Sequence, residues 1–135
     1  MTAPVPGWLA LVALVVLLAA CSLVLPSVEQ PTQVELRTWP ADTVGGDCPR
    51  ARIGTVELSA DPNAEVGRQV WLVSDEGVLW PVWPYGWTGY FAPDLRILNR
   101  EGEVVLQEGD SFHAGGTIRR PRSAWVCEID RETVL

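Results

Sequence analysis

Ser111 and His113 are the residues whose types and spacing could support nucleophilic catalysis. Two residues that are two positions apart in a strand lie on one face, so the hydroxyl and the imidazole could meet. His113 is the single histidine of the chain, and no third residue is placed to orient it as a base. The preceding Gly109 and Asp110 are more simply a turn between strands. We therefore expect no catalytic residues and no enzyme activity.

An aromatic segment at residues 80–91 (WPVWPYGWTGYF) is the densest feature of the chain, and 6 of its 12 residues are aromatic. Rigid aromatic rings beside prolines can stack on sugars, peptides or a partner protein. Core packing is the alternative, and we expect it for Trp80. Because prolines donate no ladder hydrogen bond, we expect the segment to be an edge strand or an irregular loop. The predicted ligand-binding platform consists of Trp83, Tyr85, Trp87 and Tyr90.

The charge balance limits the classes of partner that the protein is expected to bind. The chain has 17 acidic and 10 basic residues and a net charge of −7, and every basic residue is an arginine. This acidity argues against a nucleic-acid partner held by phosphate contacts. The basic cluster at residues 119–122 (RRPR) is either a solvated loop or a contact for anionic lipid or a polyanionic wall polymer. With one histidine and no CxxC pair, we expect no metal site and no cofactor.

The first 25 residues indicate attachment to a membrane. An uncharged apolar run covers residues 8–25 and would measure about 27 Å as a helix, close to a bilayer core of roughly 30 Å. Within it, Leu18-Ala19-Ala20-Cys21 resembles the lipobox of bacterial lipoproteins. That resemblance implies cleavage before Cys21 and a lipid on its sulfur. An uncleaved single-span anchor stays open, because the run continues past Cys21 and no basic residue precedes it.

The three cysteines predict the compartment. If Cys21 carries lipid, Cys48 and Cys127 remain, and we predict a disulfide between them. Two unpaired buried thiols are the alternative. A disulfide places the domain outside the cytoplasm, so we expect it at the outer face of the cell membrane.

The pattern of the rest of the chain predicts a series of short strands. Val56 and Leu58 alternate with polar residues, two hairpins are expected at 70–80 and 97–106, and a bulge or bend is expected at Gly115-Gly116. In the last strand, Trp125, Cys127 and Ile129 are expected to face inward. We predict an all-β fold, a small five- or six-stranded barrel of OB-like size or a sandwich, preceded by an N-terminal hydrophobic helix. The expected divisions are residues 1–25 (signal peptide or anchor), 26–33 (linker) and 34–135 (β-domain).

A series of turn and packing motifs follows a fixed order along the β-domain. In order they are WPYGW at 83–87, LNREGEVV at 98–105, Gly-Asp at 109–110, Gly-Gly at 115–116 and Trp-Val-Cys at 125–127. Over residues 53–127 this order resembles small exported proteins of high-GC Gram-positive bacteria. The resemblance implies an exported, barrel-like domain and no activity. We expect a membrane-tethered binding or scaffolding module for a cell-wall polymer, a peptide or a membrane protein. The alternative is a structural accessory subunit of an integral membrane complex.

Overall fold

A computed structural model describes residues 30–41 and 52–130 of the chain, together with Thr2. The apolar run at 8–25, the lipobox cysteine Cys21 and the predicted disulfide partner Cys48 lie outside the described residues, and the predictions about them stay predictions. Within the described residues, no helix has the length and apolar character needed to cross a membrane.

Nine strands and no α-helix make up the described part of the chain, which confirms the all-β prediction there. The strands are β1 (Thr32–Val34), β2 (Arg52–Ala60), β3 (Val70–Ser74), β4 (Gly77–Val82), β5 (Thr88–Phe91), β6 (Leu95–Leu98), β7 (Val104–Gln107), β8 (Ser111–Arg119) and β9 (Ser123–Asp130). The two predicted hairpins are β3–β4 and β6–β7. The predicted bulge is a register shift between Gly115 and Gly116 in β8.

Five of the strands close into a barrel in the order β2-β3-β4-β9-β8. After a long connection, β8 returns to pair with β2, so that β8, β2, β3 and β4 form a Greek key. Strand β9 lies between β8 and β4, antiparallel to β8 and parallel to β4. Closure removes the exposed edges that an open sheet of this size would have. Of the two architectures that the sequence leaves open, the structure has the five-stranded barrel.

The long connection between β4 and β8 contributes three strands to a second sheet, which the sequence patterns did not predict. Its order is β1-β5-β6-β7. Strand β1 pairs with β5 and buries Val34, so Thr32 and Gln33, expected to be part of a linker, belong to a strand. Because β1 and β5 are far apart in the chain, their pairing leaves no local pattern in the sequence.

One continuous apolar core joins the barrel and the second sheet. Two backbone hydrogen bonds also connect them at Leu58, whose N–H donates to the carbonyl of Asp110 (2.9 Å) and whose carbonyl accepts from the N–H of Gly109 (2.8 Å). Trp83 and Phe112 are the largest fully buried side chains. In β2, Val56 and Leu58 are buried, whereas Thr55 and Glu57 are exposed and Ser59 is half-buried, as the alternation predicts.

The first half of β9 differs from the prediction. Ala124 and Val126 are fully buried, whereas Trp125 is half-buried on the other face. The register with β8 passes from Val126 to Glu128 and skips Cys127, so Ile129 lies opposite the buried Ala114 and packs against the core, as predicted. Both faces of this strand carry apolar residues, so apolar alternation alone does not determine which one points inward. The pairing with β8 determines it, because Val126 lies opposite Gly116 and its side chain fills the barrel there.

Candidate functional site

Trp83 lies in the core, in contrast to the predicted exposed platform. Its side chain is 1% exposed, and its ring stacks on that of Trp87, with centroids 5.8 Å apart and 15° between the planes. Its backbone N–H donates to the carbonyl of Arg37 and its carbonyl accepts from the N–H of Trp39, both at 2.8 Å. The ring therefore has no face that a ligand can reach.

The other three predicted platform residues do not share one exposed surface with Trp83. Tyr85 is 42% exposed, and the Cζ atom of Arg100 lies 5.9 Å from its ring centroid. Trp87 is half-buried against Trp83, and Tyr90 is half-buried in β5. Ligand binding by Tyr85, Trp87 and Tyr90 stays a prediction, and Tyr85 is the most accessible of them.

A concave groove of about 490 Å³ lies on the outside of the barrel. We call it the arginine groove. Among the residues that the structure describes, no aspartate or glutamate lines it. Trp80 and Trp125 lie in its floor. Its five cationic residues are Arg37, Arg68, Arg119, Arg120 and Arg122.

Three separate segments of the chain bring these arginines together. Arg37 follows β1 and is held by its backbone hydrogen bond with Trp83. Arg68 lies in the β2–β3 loop, where its N–H donates to the carbonyl of Glu65 at 2.8 Å. The other three belong to the β8–β9 turn, in which the N–H of Arg122 donates to the carbonyl of Arg119 at 3.1 Å. This last cluster is evident in the sequence, whereas Arg37 and Arg68 are not, since only tertiary pairing brings them to it.

The floor of the groove is the outer face of the parallel pair β4–β9. Trp80 is in register with Ser123, and Val82 with Trp125, so the two tryptophans are offset by two residues on adjacent strands. A rise of about 3.3 Å per residue and a strand spacing of about 4.8 Å place their Cα atoms about 8 Å apart. Pro81 fits into this part of β4 because residues 80–82 pair with β9, whereas β3 pairs with residues 77–79.

Each floor tryptophan carries an arginine on its ring. The Cζ atom of Arg68 lies 5.8 Å from the ring centroid of Trp80, and that of Arg119 lies 4.0 Å from the centroid of Trp125. Trp125 also packs against Trp39, with centroids 5.7 Å apart. A guanidinium stacked on a ring keeps its N–H groups in the plane free to donate hydrogen bonds to an anion.

In the part of the chain that the structure describes, no carboxylate forms an ion pair with any of the five arginines. Glu35 lines a small adjoining recess together with Arg37 and Trp80. Guanidinium groups stay protonated and suit carboxylate and phosphate oxygens, which they bind through paired hydrogen bonds. The described residues contain no group of three metal-ligating side chains. The chemistry that this site supports is therefore binding of an anion.

The remaining sequence candidates lie elsewhere. Cys127 is disulfide-bonded, and its partner lies outside the described residues, so its pairing with Cys48 stays a prediction. The imidazole of His113 hydrogen-bonds with the hydroxyl of Thr55, at 3.1 Å between Nδ1 and Oγ1. Ser111 lies two positions before His113 in β8, as the sequence implies.

Comparisons with protein families, with curated proteins and with solved structures give no match to this chain. What the protein does must therefore be inferred from its own residues.

Proposed function

We propose that the protein is a non-catalytic binding module, tethered at the outer face of a membrane, and that it binds an anionic ligand in the arginine groove. The observation that carries the proposal is the convergence of five arginines from three segments on one groove. The chain as a whole is acidic, with a net charge of −7. The arginines of the groove therefore stand out against an acidic chain as a surface that can attract an anion.

An anionic ligand would offset the repulsion between the arginines of the groove. At a separation of about 8 Å, the spacing estimated for the Cα atoms of the two floor tryptophans, two guanidinium charges would repel each other by about 2 kcal/mol at an effective dielectric constant of about 20, before screening by salt. Among the described residues, no carboxylate offsets this repulsion through an ion pair. A bound anion would replace repulsion by charge-assisted hydrogen bonds, which are about twice as strong as neutral ones.

The position of the groove on the barrel supports the same function. In five-stranded Greek-key barrels of the OB type, oligomeric ligands bind near the loops that join the first strand to the second and the fourth to the fifth. In this barrel those connections are the β2–β3 loop, which contains Arg68, and the β8–β9 turn, which contains Arg122. This is a likeness of architecture, and it supports the place of the site without identifying its ligand.

The membrane tether rests on the sequence. The lipobox resemblance and the apolar run at 8–25 support an N-terminal hydrophobic helix, which is either cleaved before a lipid-bearing Cys21 or retained as an anchor. After a retained helix, residues 26–31 can span at most about 21 Å, and after a lipid-bearing Cys21, residues 22–31 can span at most about 36 Å, so β1 would begin near the bilayer in both cases. A cell-wall polymer with anionic groups at that surface is the ligand class that we propose for the arginine groove. The intact mass of the native protein, with and without reductant, tests lipid attachment and the disulfide.

Titration of the full chain in dodecyl maltoside micelles with linear polyphosphate tests anion binding. Isothermal calorimetry would compare Arg119→Ala with the matched control Arg100→Ala. Both variants remove one positive charge and one arginine that rests on an aromatic ring, but only Arg119 lines the groove. Hydrogen bonds to a charged group contribute about 1.5–3 kcal/mol, so we expect Arg119→Ala to weaken binding about 10- to 150-fold.

For Arg100→Ala we expect an unchanged affinity within about twofold, because surface charges away from a site have small effects. Equal losses in the two variants would show that polyphosphate responds only to overall charge. Absence of saturable binding would contradict anion binding altogether. In that case the structural accessory subunit becomes the better account of the protein.

A further inference from the structure

We propose that the ligand is a linear polyanion, which binds two separate arginine stations on the floor of the groove. This inference rests on the proposed anion-binding function. The first station is Arg68 on the ring of Trp80, and the second is Arg119 on the ring of Trp125. A ligand that occupies both must carry phosphate or carboxylate groups at more than one point along its length.

The two stations are separate because of the strands that hold them. Trp80 belongs to β4 and Trp125 to β9, and the register offsets them by two residues. Their Cα atoms are about 8 Å apart, and each ring is covered by a different arginine. The arginines reach the two rings from different segments, the β2–β3 loop and the end of β8. The five arginines of the groove carry more positive charge than one phosphate or carboxylate neutralises, so a ligand with several anionic groups engages more of them.

Trp80 and Trp125 are positioning residues in this proposal. Stacking on a ring restricts the long arginine side chain, so less conformational freedom is lost when the ligand binds. At Trp125, where the Cζ atom of Arg119 is 4.0 Å from the centroid, the guanidinium also covers the ring face on which a sugar or a nucleic-acid base would otherwise stack. At Trp125, Arg119 and Trp39 both pack on the ring. The groove therefore favours the charged groups of a polymer over its rings.

The backbone of the β8–β9 turn is a second, independent observation. Arg122 has a φ of +131°, a conformation that favours glycine. Its Nη1 atom lies 2.9 Å from the point that a Cβ on Gly77 would occupy, so its guanidinium extends across the β3–β4 turn. Strained residues of this kind cluster at ligand clamps, where the side chain is needed despite the backbone conformation. Arg122 thus adds a cation beside the station at Arg119.

Calorimetry with the full chain in dodecyl maltoside micelles would test the two stations, using orthophosphate and linear polyphosphate as probes. Joining two sites through one ligand raises affinity by about 100- to 10,000-fold, so we expect polyphosphate to bind at least 100-fold more tightly than orthophosphate. Arg68→Ala and Arg119→Ala should each weaken polyphosphate binding about 10-fold or more. The double variant should bind polyphosphate no more tightly than the wild type binds orthophosphate.

Two variants of Trp125 test positioning. Trp125→Phe keeps an aromatic face under Arg119 and should retain the preference for polyphosphate over orthophosphate. Trp125→Leu keeps an apolar side chain without that face and should reduce the preference about 10-fold or more, the size expected when one station is lost. A purely structural role would change the melting temperature in both variants without changing the ratio of the two affinities.

Several outcomes would overturn the linear polyanion. If orthophosphate bound as tightly as polyphosphate and only one arginine mattered, the groove would hold a single anion, and the proposed function would survive. If neither probe bound, both proposals would fail. Phosphatidylglycerol added to the micelles distinguishes a lipid source of phosphate, because displacement of polyphosphate would assign the groove to headgroups. Tighter binding of single-stranded DNA than of polyphosphate of equal charge would assign it to a nucleic acid.

Discussion

Replacement of Arg122 by glycine should stabilise the fold and weaken the binding site at once. The residue has a φ of +131°, and a non-glycine residue held in such a conformation costs about 1–3 kcal/mol. Glycine removes that cost but gains freedom in the unfolded chain, which lowers stability by about 0.4–1 kcal/mol. We therefore expect the free energy of unfolding to rise by about 1 kcal/mol. For a domain of 60–100 residues this corresponds to roughly 4–8 °C in melting temperature.

The matched control for this prediction is Arg122→Ala. Alanine removes the same guanidinium but keeps a Cβ at the strained position, so it should give no gain in stability. Urea unfolding of the full chain in micelles measures stability, and polyphosphate titration measures binding. Both variants should lose affinity alike, and only the glycine variant should gain stability. A glycine variant no more stable than the alanine variant would refute the assignment of backbone strain at this turn.

Three further substitutions test the core, the bulge and the disulfide. Trp83→Ala should lower the free energy of unfolding by about 3–5 kcal/mol, because the substitution leaves a cavity where a fully buried side chain was. Urea unfolding measures this loss, and an unchanged midpoint would contradict the burial of Trp83. Gly116→Ala should lower the free energy of unfolding by about 3 kcal/mol, as measured by thermal unfolding. Gly116 has a φ of +148°, and a Cβ at this position would overlap the carbonyl oxygen of Trp125. Cys127→Ser should lower the free energy of unfolding by about 2–5 kcal/mol under oxidising conditions, because it removes a disulfide. Peptide mapping of the wild type should show Cys127 joined to Cys48, and a free thiol at Cys48 would contradict this pairing.

The local parts of the fold are predictable because their signals are local. Alternation at Val56 and Leu58 and the turn residues of the two hairpins determine β2, β3–β4 and β6–β7. The bulge at Gly115-Gly116 follows from two adjacent residues without side chains. These features depend on neighbours within a few positions, so each of them can be located from the sequence.

The site is less predictable because it depends on contacts between distant segments. Arg37 reaches the groove through the hydrogen bond that joins it to Trp83, and nothing near it in sequence indicates this pairing. Trp83, Tyr85 and Trp87 share the same proline- and glycine-rich segment, so composition does not separate the buried ring of Trp83 from the exposed ring of Tyr85. Apolar residues on both faces of β9 leave its orientation open in the same way.

The arginine side chains themselves offer the most direct test of anion binding. Because all ten basic residues are arginines, one ¹H–¹⁵N spectrum of the Nε–Hε groups can report on every cationic side chain of the full chain. Assignment by single substitutions identifies the signals of Arg68, Arg119 and Arg100. On addition of linear polyphosphate, the signals of Arg68 and Arg119 should shift together with one saturation curve, and that of Arg100 should stay in place. Uniform small shifts at all ten arginines, or no shift at the groove, would contradict the assignment of this groove as the binding site.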